Sequence, residues 1–488
     1  MKNSLRKENM DRSFSAPPRW DLTLDDVIEA LEIKDGMILS FHHHLRNGDF
    51  VLRDVMLRIH RLGVKNLTIA ASSIFPAHRC LVPMLEDGTV TKIIASYASG
   101  PVAEAISRGK CKEICEITTH GGRPRSILNG ELAIDVAFIA SPAVDRDGNI
   151  TGSDGPGACG VLGYAVADAQ KAREVVAVTD TVMDEIADSE ISGSCVDYVV
   201  QIESIGDPAG IVSGTTQVTK DPVGLKIARD CATLMLHSGL FTEGFSFQTG
   251  AGGISLAVAD FVRQEMKDRG IRAGFASGGV TGYLVDMHEE GLIDTLYDVQ
   301  CFDLAAVESV RKNPKHVKIS ADRYANPDNP EAVAGQLDFV ILGASEIDTD
   351  YNVNVTTGSD GSILGGSGGH ADTAAGAKLA IIVSKLVNAR VSCLVDRVTT
   401  VTTPGDTIDV LVTERGIAIH PRHTALIEKL KEETNLEIFT IEELLDIAKS
   451  FTGQPRTVTR GERVVAHSLY RDGRVLDEIY EVENESQK

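Results

Sequence analysis

The chain has 488 residues, with 48 Lys and Arg against 70 Asp and Glu for a net charge of −22, and 43% of it is hydrophobic. That size allows two to four domains with sizeable cores, while so acidic a chain is unsuited to nucleic acid or anionic membranes as partners, and an anionic substrate would need a local cationic pocket. The eight Cys are scattered, as expected of reduced thiols in a cytoplasmic protein, and the one close pair, Cys111 and Cys115, lacks the second ligand pair of a metal site, so no metal is expected.

Residues 1–20 read as a flexible N-terminal arm, polar and punctuated by Pro17-Pro18, without the apolar stretch of a signal peptide. No apolar run reaches the roughly 20 residues that a membrane span needs. From residue 21 the pattern alternates between strand and helix. MILSF (37–41) and NLTIAAS (66–72) are short apolar strands flanking a helix, 49–63, whose Val51, Val55, Ile59 and Leu62 share one face. ELAIDVAFIA (131–140) and EVVAVTD (174–180) are later strands, separated by a helix of small residues. A second series begins near Asp221, with strand FSFQTG (245–250), helix 254–270, and strands RAGFASGG (272–279), LDFVILGAS (337–345) and KLAIIVSK (378–385). TIEELLDIAK (440–449) is an amphipathic helix with Thr440 and Glu443 at capping-box spacing, and 464–482 reads as a hairpin turning at Asp472-Gly473. This alternation predicts an α/β protein with mostly parallel sheets covered on both faces.

The two series are copies of one domain. DVAFIASPAVDRDGN (135–149) and DFVILGASEIDTDYN (338–352) set Asp135, Asp145, Asp147 and Asn149 opposite Asp338, Asp348, Asp350 and Asn352 at a single offset. Ser40-Phe41 aligns with Ser246-Phe247 and Asp180 with Asp396, the offset drifting as it does when loops are inserted. The expected organisation is two Rossmann-like domains, 21–220 and 221–488, the second carrying the C-terminal helix and hairpin, with the active site in the crevice between them.

Four glycine-rich loops follow strands. TGAGGIS (249–255), with Gly250, Gly252 and Gly253, runs into a helix and suits a phosphate or carboxylate, although a tight βα turn would look the same. SGGVTG (277–282) brings Gly278 and Gly279 after the next strand, and HGGRPR (120–125) adds Arg123 and Arg125 to a turn. GGSGGHAD (365–372), with Gly366, Gly368, Gly369 and His370, is bare enough for close approach to a ligand and for N–H donation to an oxyanion. His42, His43 and His44, followed by Arg46, cannot all face one metal if side chains alternate along a strand; they suit an anion-contacting loop at the interface. Glu346 is a candidate nucleophile or base, its alternative being a carboxylate that caps the following turn.

Together these blocks resemble the CoA-transferase superfamily and, within it, the α-subunit family of bacterial citrate lyases. ILSFHHHLRNGDFVL, SYASGPVAEAISRG, DVAFIASPAVDRDGNITGSDG, GFSFQTGAGGISLAVADF, GASEIDTDYNVNV and GGSGGHADTAAGAKLAIIV carry the resemblance over nearly the full length. It implies an acyl exchange, in which citrate replaces acetate on an acetyl–acyl carrier protein or acetyl-CoA. A lyase β subunit and a carrier γ subunit would be partners, and the chain would form homo-oligomers within the complex. It also implies a carboxylate side on the first domain, with His42, His43, Arg46, Arg123 and Arg125 as citrate contacts. The CoA or carrier thioester would meet the second domain through Gly250, Gly252, Gly253, Gly278, Gly279 and His370. Gly366, Gly368 and Gly369 would supply oxyanion donors, with Glu346 as an acid in the site. Many CoA-transferases carry a glutamate after the second strand of the second domain, but no acid occurs here between Phe275 and Leu284. Direct attack by a citrate carboxylate is therefore expected. An acyl-CoA hydrolase, another CoA-transferase of this fold, and a non-catalytic scaffold or sensor are the alternatives.

Overall fold

The computed structural model describes residues 17–212, 218–250, 252–388, 390–452 and 460–482. Two large sheets organise these residues. In the first, seven parallel strands lie in the order Tyr198–Gln201, Glu174–Thr179, Val136–Ser141, Ile38–Phe41, Leu67–Ala71, Val90–Ala95, Cys115–Ile117. In the second the order is Val410–Thr413, Leu379–Val383, Phe339–Leu342, Ser246–Thr249, Ala273–Val280, Ile293–Cys301, His316–Lys318. The topologies are identical: the first strand sits in the middle, the next three extend to one side, and the last three to the other. The chain reverses direction beside Ile38–Phe41 in one sheet and beside Ser246–Thr249 in the other, and the crevice at such a reversal is where α/β sheets bind ligands.

Pairing registers fix which residues correspond. Leu39 pairs with Val136 as Phe247 pairs with Phe339, and the Ile38 and Ser246 amides donate to Asp135 and Asp338, both 2.8–2.9 Å away. Ile38 therefore matches Ser246, and Ser40 matches Gln248, two residues from the alignment read in the sequence. Likewise Asp145 pairs with Met183 as Asp348 pairs with Val395, so Asp396 corresponds to Asp184 rather than Asp180. Slips of two and four keep every side chain on its own face, so apolar alternation does not expose them. The central block was read in register. Asp145 accepts from the Asp147 and Asn149 amides as Asp348 does from those of Asp350 and Asn352, all within 3.0 Å; the repeated acids are turn-forming groups.

The C-terminal hairpin, Arg460–Leu469 and Val475–Val482, does not extend the second sheet, with which the sequence groups it. Its first strand runs parallel to Cys115–Ile117 and covers the edge of the first sheet. A hairpin's turn sets its own register but says nothing about which exposed edge it will cover. Helix Val51–Arg61 buries Val51, Val55 and Ile59 but leaves Leu62, just past its end, exposed, and Thr440 and Glu443 form the expected reciprocal cap of helix Ile441–Thr452 at 2.7 and 3.2 Å. Among the described residues, no helix is long and apolar enough to cross a membrane.

Candidate active site

Residues 42–46 leave the first strand of the first copy at its reversal point and enter the seam between the copies. There Gln300 of the second copy donates to the His43 carbonyl at 3.2 Å. The Arg46 guanidinium lies between Phe75 and Phe302, 5.2 and 5.0 Å from their ring centres. From Phe302 the wall passes to Gly279, where a side chain would strike that ring, and to Gly278, which abuts Gln248. Gln248 donates to the Tyr324 hydroxyl at 2.9 Å, Tyr324 lies against Gly369, and Gly368 faces the His120 imidazole. His120 packs on Tyr164 at 4.4 Å and on His43 at 5.6 Å, and His43 reaches Phe75 at 5.8 Å, closing the circuit.

This ring holds polar atoms with no hydrogen-bond partner among the described residues. Arg46 Nη1, His120 Nδ1, Gln248 Oε1 and Ser277 Oγ are buried and lack hydrogen-bond partners. Each such atom costs about 1–3 kcal/mol, and folded proteins keep few of them. Arg46 also has φ +51°, a left-handed conformation uncommon for a residue with a side chain. Strained backbone and unpaired polar atoms around one cation, at a seam built by both copies, are the features of a ligand site.

Other residues expected in the site are committed elsewhere. Arg123 makes a bidentate pair with Asp168 at 2.7 and 2.8 Å and also donates to Ser40 and to the Ala70 carbonyl. Burial alone would raise the Asp168 carboxyl, but the charge of Arg123 holds it below its ordinary range. His42 turns toward this pair, 4.0 Å from Asp168. Arg125 is held by Glu131 and the Asp472 carbonyl. Glu346 accepts from Asn354 and twice from Thr399, at 2.7–3.0 Å, as a junction-capping carboxylate does. His370 spans Gly343 O and Thr403 Oγ1 at 2.9 and 2.7 Å. The Gly368 N–H donates to the Ser96 carbonyl at 3.0 Å, so it is not the free oxyanion donor expected of it. A Cβ on Gly366 would stand 2.4 Å from that same carbonyl oxygen; this loop is bare so that the copies can meet. Most partners of these groups lie far along the chain, where residue patterns do not reveal them.

On the second copy a depression of about 270 Å³ opens at the reversal point, lined by Gly252, Gly253, Ser255, Gly343, Ala344 and Lys385 among others. Helix Gly253–Arg269 begins there, and its N-terminal amides suit an anionic group. Gly250 is tied back, its N–H donating to the Ile341 carbonyl at 2.7 Å.

The family described as "Citrate lyase, alpha subunit (CitF)" matches residues 20–482. The citrate lyase alpha chain of Haemophilus influenzae is 46% identical over 95% of this chain and 92% of its own length. That of Escherichia coli is 46% identical over 94% and 90%. The chain belongs to the citrate lyase α-subunit family. Membership makes it an enzyme, and its part in citrate lyase is the transferase component. A solved citrate lyase α subunit from Streptococcus mutans, in complex with citrate, superposes with a TM-score of 0.93 at 43% identity, covering 96% of this chain and 93% of that one. A Pseudomonas malonate decarboxylase, at 16% identity and a TM-score of 0.65 over 83% of this chain and 81% of that one, shares the fold.

For a citrate lyase α subunit, the histidine-rich seam has a consequence for acid stability. Burial pushes His42 and His370 down to about 4 and His120 to about 3, and holds His43 and His44 well below the ordinary value. All five titrate near 6.5 once unfolded. With the folded pKa depressed, the unfolded chain binds more protons as pH falls, so stability is fully present above about pH 6.5 and declines from there toward about 4. Melting temperature followed by circular dichroism is expected to be level above about pH 7 and to drop steadily toward pH 5. A level profile across that window would contradict a neutral cluster.

Arg123 gives a second expectation. Arg123→Ala leaves Asp168 buried without its cation, a loss of about 3–5 kcal/mol. Unfolding in urea should show that loss, while the citrate KM of the folded fraction stays unchanged. A raised KM at full stability would return Arg123 to the list of citrate contacts.

Proposed function

We propose that this chain exchanges the acyl group of a carrier thioester, converting acetyl–acyl carrier protein, or acetyl-CoA, and citrate into the citryl thioester and acetate. Its partners in citrate cleavage would be a lyase β subunit and a carrier γ subunit. The observation that carries the reading is the two-copy ring around Arg46, with unpaired buried polar atoms contributed by both copies. A citrate-bound relative of 0.93 TM-score supports citrate as the acceptor. The depression at the start of helix Gly253–Arg269 is our candidate for the anionic part of the thioester carrier.

In the proposed reaction a citrate carboxylate attacks the acetyl carbon. The carbonyl pair moves to oxygen, and collapse expels the thiolate, leaving a citric–acetic anhydride. The thiolate then attacks the citryl carbonyl and acetate departs. No proton is gained or lost, and one citrate oxygen leaves in the acetate. A carboxylate is a weak nucleophile, so the chain's task is to hold it against the thioester. Absence of a protein-bound acyl intermediate is favoured by Gly278 or Gly279 standing where related transferases place glutamate, and by the filled hydrogen bonds of Glu346. Acetyl-CoA with labelled citrate tests the reading. Citryl-CoA and acetate in equal amounts are expected; citrate-independent hydrolysis would indicate an acyl-CoA hydrolase, and no turnover a scaffold or sensor.

A further inference from the structure

The first copy closes the position that the second copy leaves open. Ser40 and Gln248 correspond by strand register. The Ser40 hydroxyl is itself matched: it donates to Asp168 at 2.6 Å and accepts from Arg123 at 3.0 Å. Among the described residues the Gln248 side chain hydrogen-bonds neither a carboxylate nor a cation. Its neighbours are Ser277, beside it on the adjacent parallel strand because Phe247 pairs with Ala276, and Tyr324 at 2.9 Å. Gln248, Ser277 and Tyr324 are 7%, 1% and 3% exposed.

The cluster keeps hydrogens that no partner takes, beside a Gln248 amide oxygen that is also unpaired as placed. The Gln248 amide carries two, and the Tyr324 and Ser277 hydroxyls one each. One is used between Gln248 and Tyr324. If the amide is turned over, Tyr324 donates to Oε1 instead and the amide keeps both of its hydrogens, so the surplus is the same. Among the described residues, neither the Tyr324 hydroxyl nor Ser277 Oγ has another acceptor. The cluster is walled by glycines: a Cβ at Gly369 would lie 2.4 Å from the Tyr324 hydroxyl, and one at Gly278 would lie 2.7 Å from the Gln248 amide carbon. Any side chain at either position would fill the space in front of the donors. Burial holds the Tyr324 phenol well above its ordinary value, so it stays a donor.

We infer that Gln248 and Tyr324 are the oxyanion donors of the acyl exchange, receiving the thioester oxygen as it gains charge, with Ser277 beside them. The inference rests on the proposed exchange and supplies what the glycine loop does not, since the Gly368 N–H is already bound to Ser96. As the carboxylate adds to the acyl carbon, the C=O pair becomes an O⁻ that the two donors hold, and it re-forms the carbonyl when the C–S bond breaks.

The test uses the full-length chain with Tyr324→Phe and Gln248→Leu. Tyr324→Phe keeps the ring and removes only the hydroxyl. It is expected to lower kcat roughly a hundredfold, with the KM values for citrate and acetyl-CoA little changed and the circular dichroism melt retained. Infrared difference spectra of bound carbonyl-13C acetyl-CoA give a reading independent of turnover. The wild-type carbonyl band should shift to lower frequency, and the shift should shrink in both variants. A shift in a wild type that exchanges no acyl group would sink the proposed function and leave the donor assignment standing. Wild-type kcat in Tyr324→Phe, or a carbonyl band unmoved in the wild type, overturns the donor assignment whether or not exchange occurs.

Discussion

Arg46→Asn lowers kcat/KM for citrate by roughly ten- to hundredfold, the effect of losing one charged hydrogen-bond partner worth about 1.5–3 kcal/mol. Asparagine is the appropriate replacement because it tolerates the left-handed backbone that Arg46 adopts at φ +51°. The loss should fall on citrate, because Arg46 lies in the ring with an unpaired terminal Nη1, whereas Arg123 and Arg125 spend both of their Nη groups on Asp168 and Glu131. Arg46→Lys should recover part of the loss. It keeps the charge but forfeits the planar contact between Phe75 and Phe302 and the two-pronged grip on a carboxylate. Steady-state kinetics with each substrate varied in turn decides the matter: equal losses for citrate and acetyl-CoA would mean that Arg46 holds the seam together rather than the substrate.

Gly369→Val should abolish most turnover while the chain still folds. Gly369 has φ −93°, so its backbone accepts a side chain. The obstacle is the Tyr324 hydroxyl, 2.4 Å from where a Cβ would sit. The collision displaces Tyr324 or the loop, at an overpacking cost of about 1–3 kcal/mol. Gly366→Val behaves differently, because its Cβ would meet the Ser96 carbonyl and the Tyr97 backbone, which cannot rotate away. That variant should part the two copies and lower the melting temperature by more. Kinetics beside thermal melts of the two proteins check the contrast, and an active Gly369→Val would remove this wall from the site.

How much of this was legible in the sequence follows from what each signal encodes. Buried parallel strands write themselves as short apolar runs, so most of those read in the sequence fall within a few residues of the observed bounds, and the duplication shows in the Asp145 and Asp348 turns. The flanking equivalences slipped by two and by four because period-two alternation is blind to even shifts. In the site, residues 42–46 and the loops at 278–279 and 365–369 were found because histidine runs and glycine clusters are conspicuous. Gln248, Tyr324, Tyr164, Phe302 and Gln300 were missed as site residues: single polar or aromatic residues in apolar segments look like core, and only the seam gives them a role. His120 and Gln248 did carry a signal, each adjoining a glycine-rich loop after a strand. Arg123 misled for the opposite reason. A cation in a glycine-proline turn invites an anionic ligand, and nothing local indicates that Asp168 has already claimed it.

The central claim is that citrate meets the thioester directly in the seam, with no acyl group passing through the protein. A single turnover with enzyme in excess, acetyl-CoA, and citrate labelled with 18O in its carboxylates tests it. Direct attack sends a citrate oxygen out in the leaving acetate, so mass spectrometry should find acetate carrying one 18O. If a protein carboxylate takes the acetyl group first, the acetate of the first turnover draws its second oxygen from the enzyme. Unlabelled acetate would then contradict the account and point to a protein carboxylate as the acyl carrier.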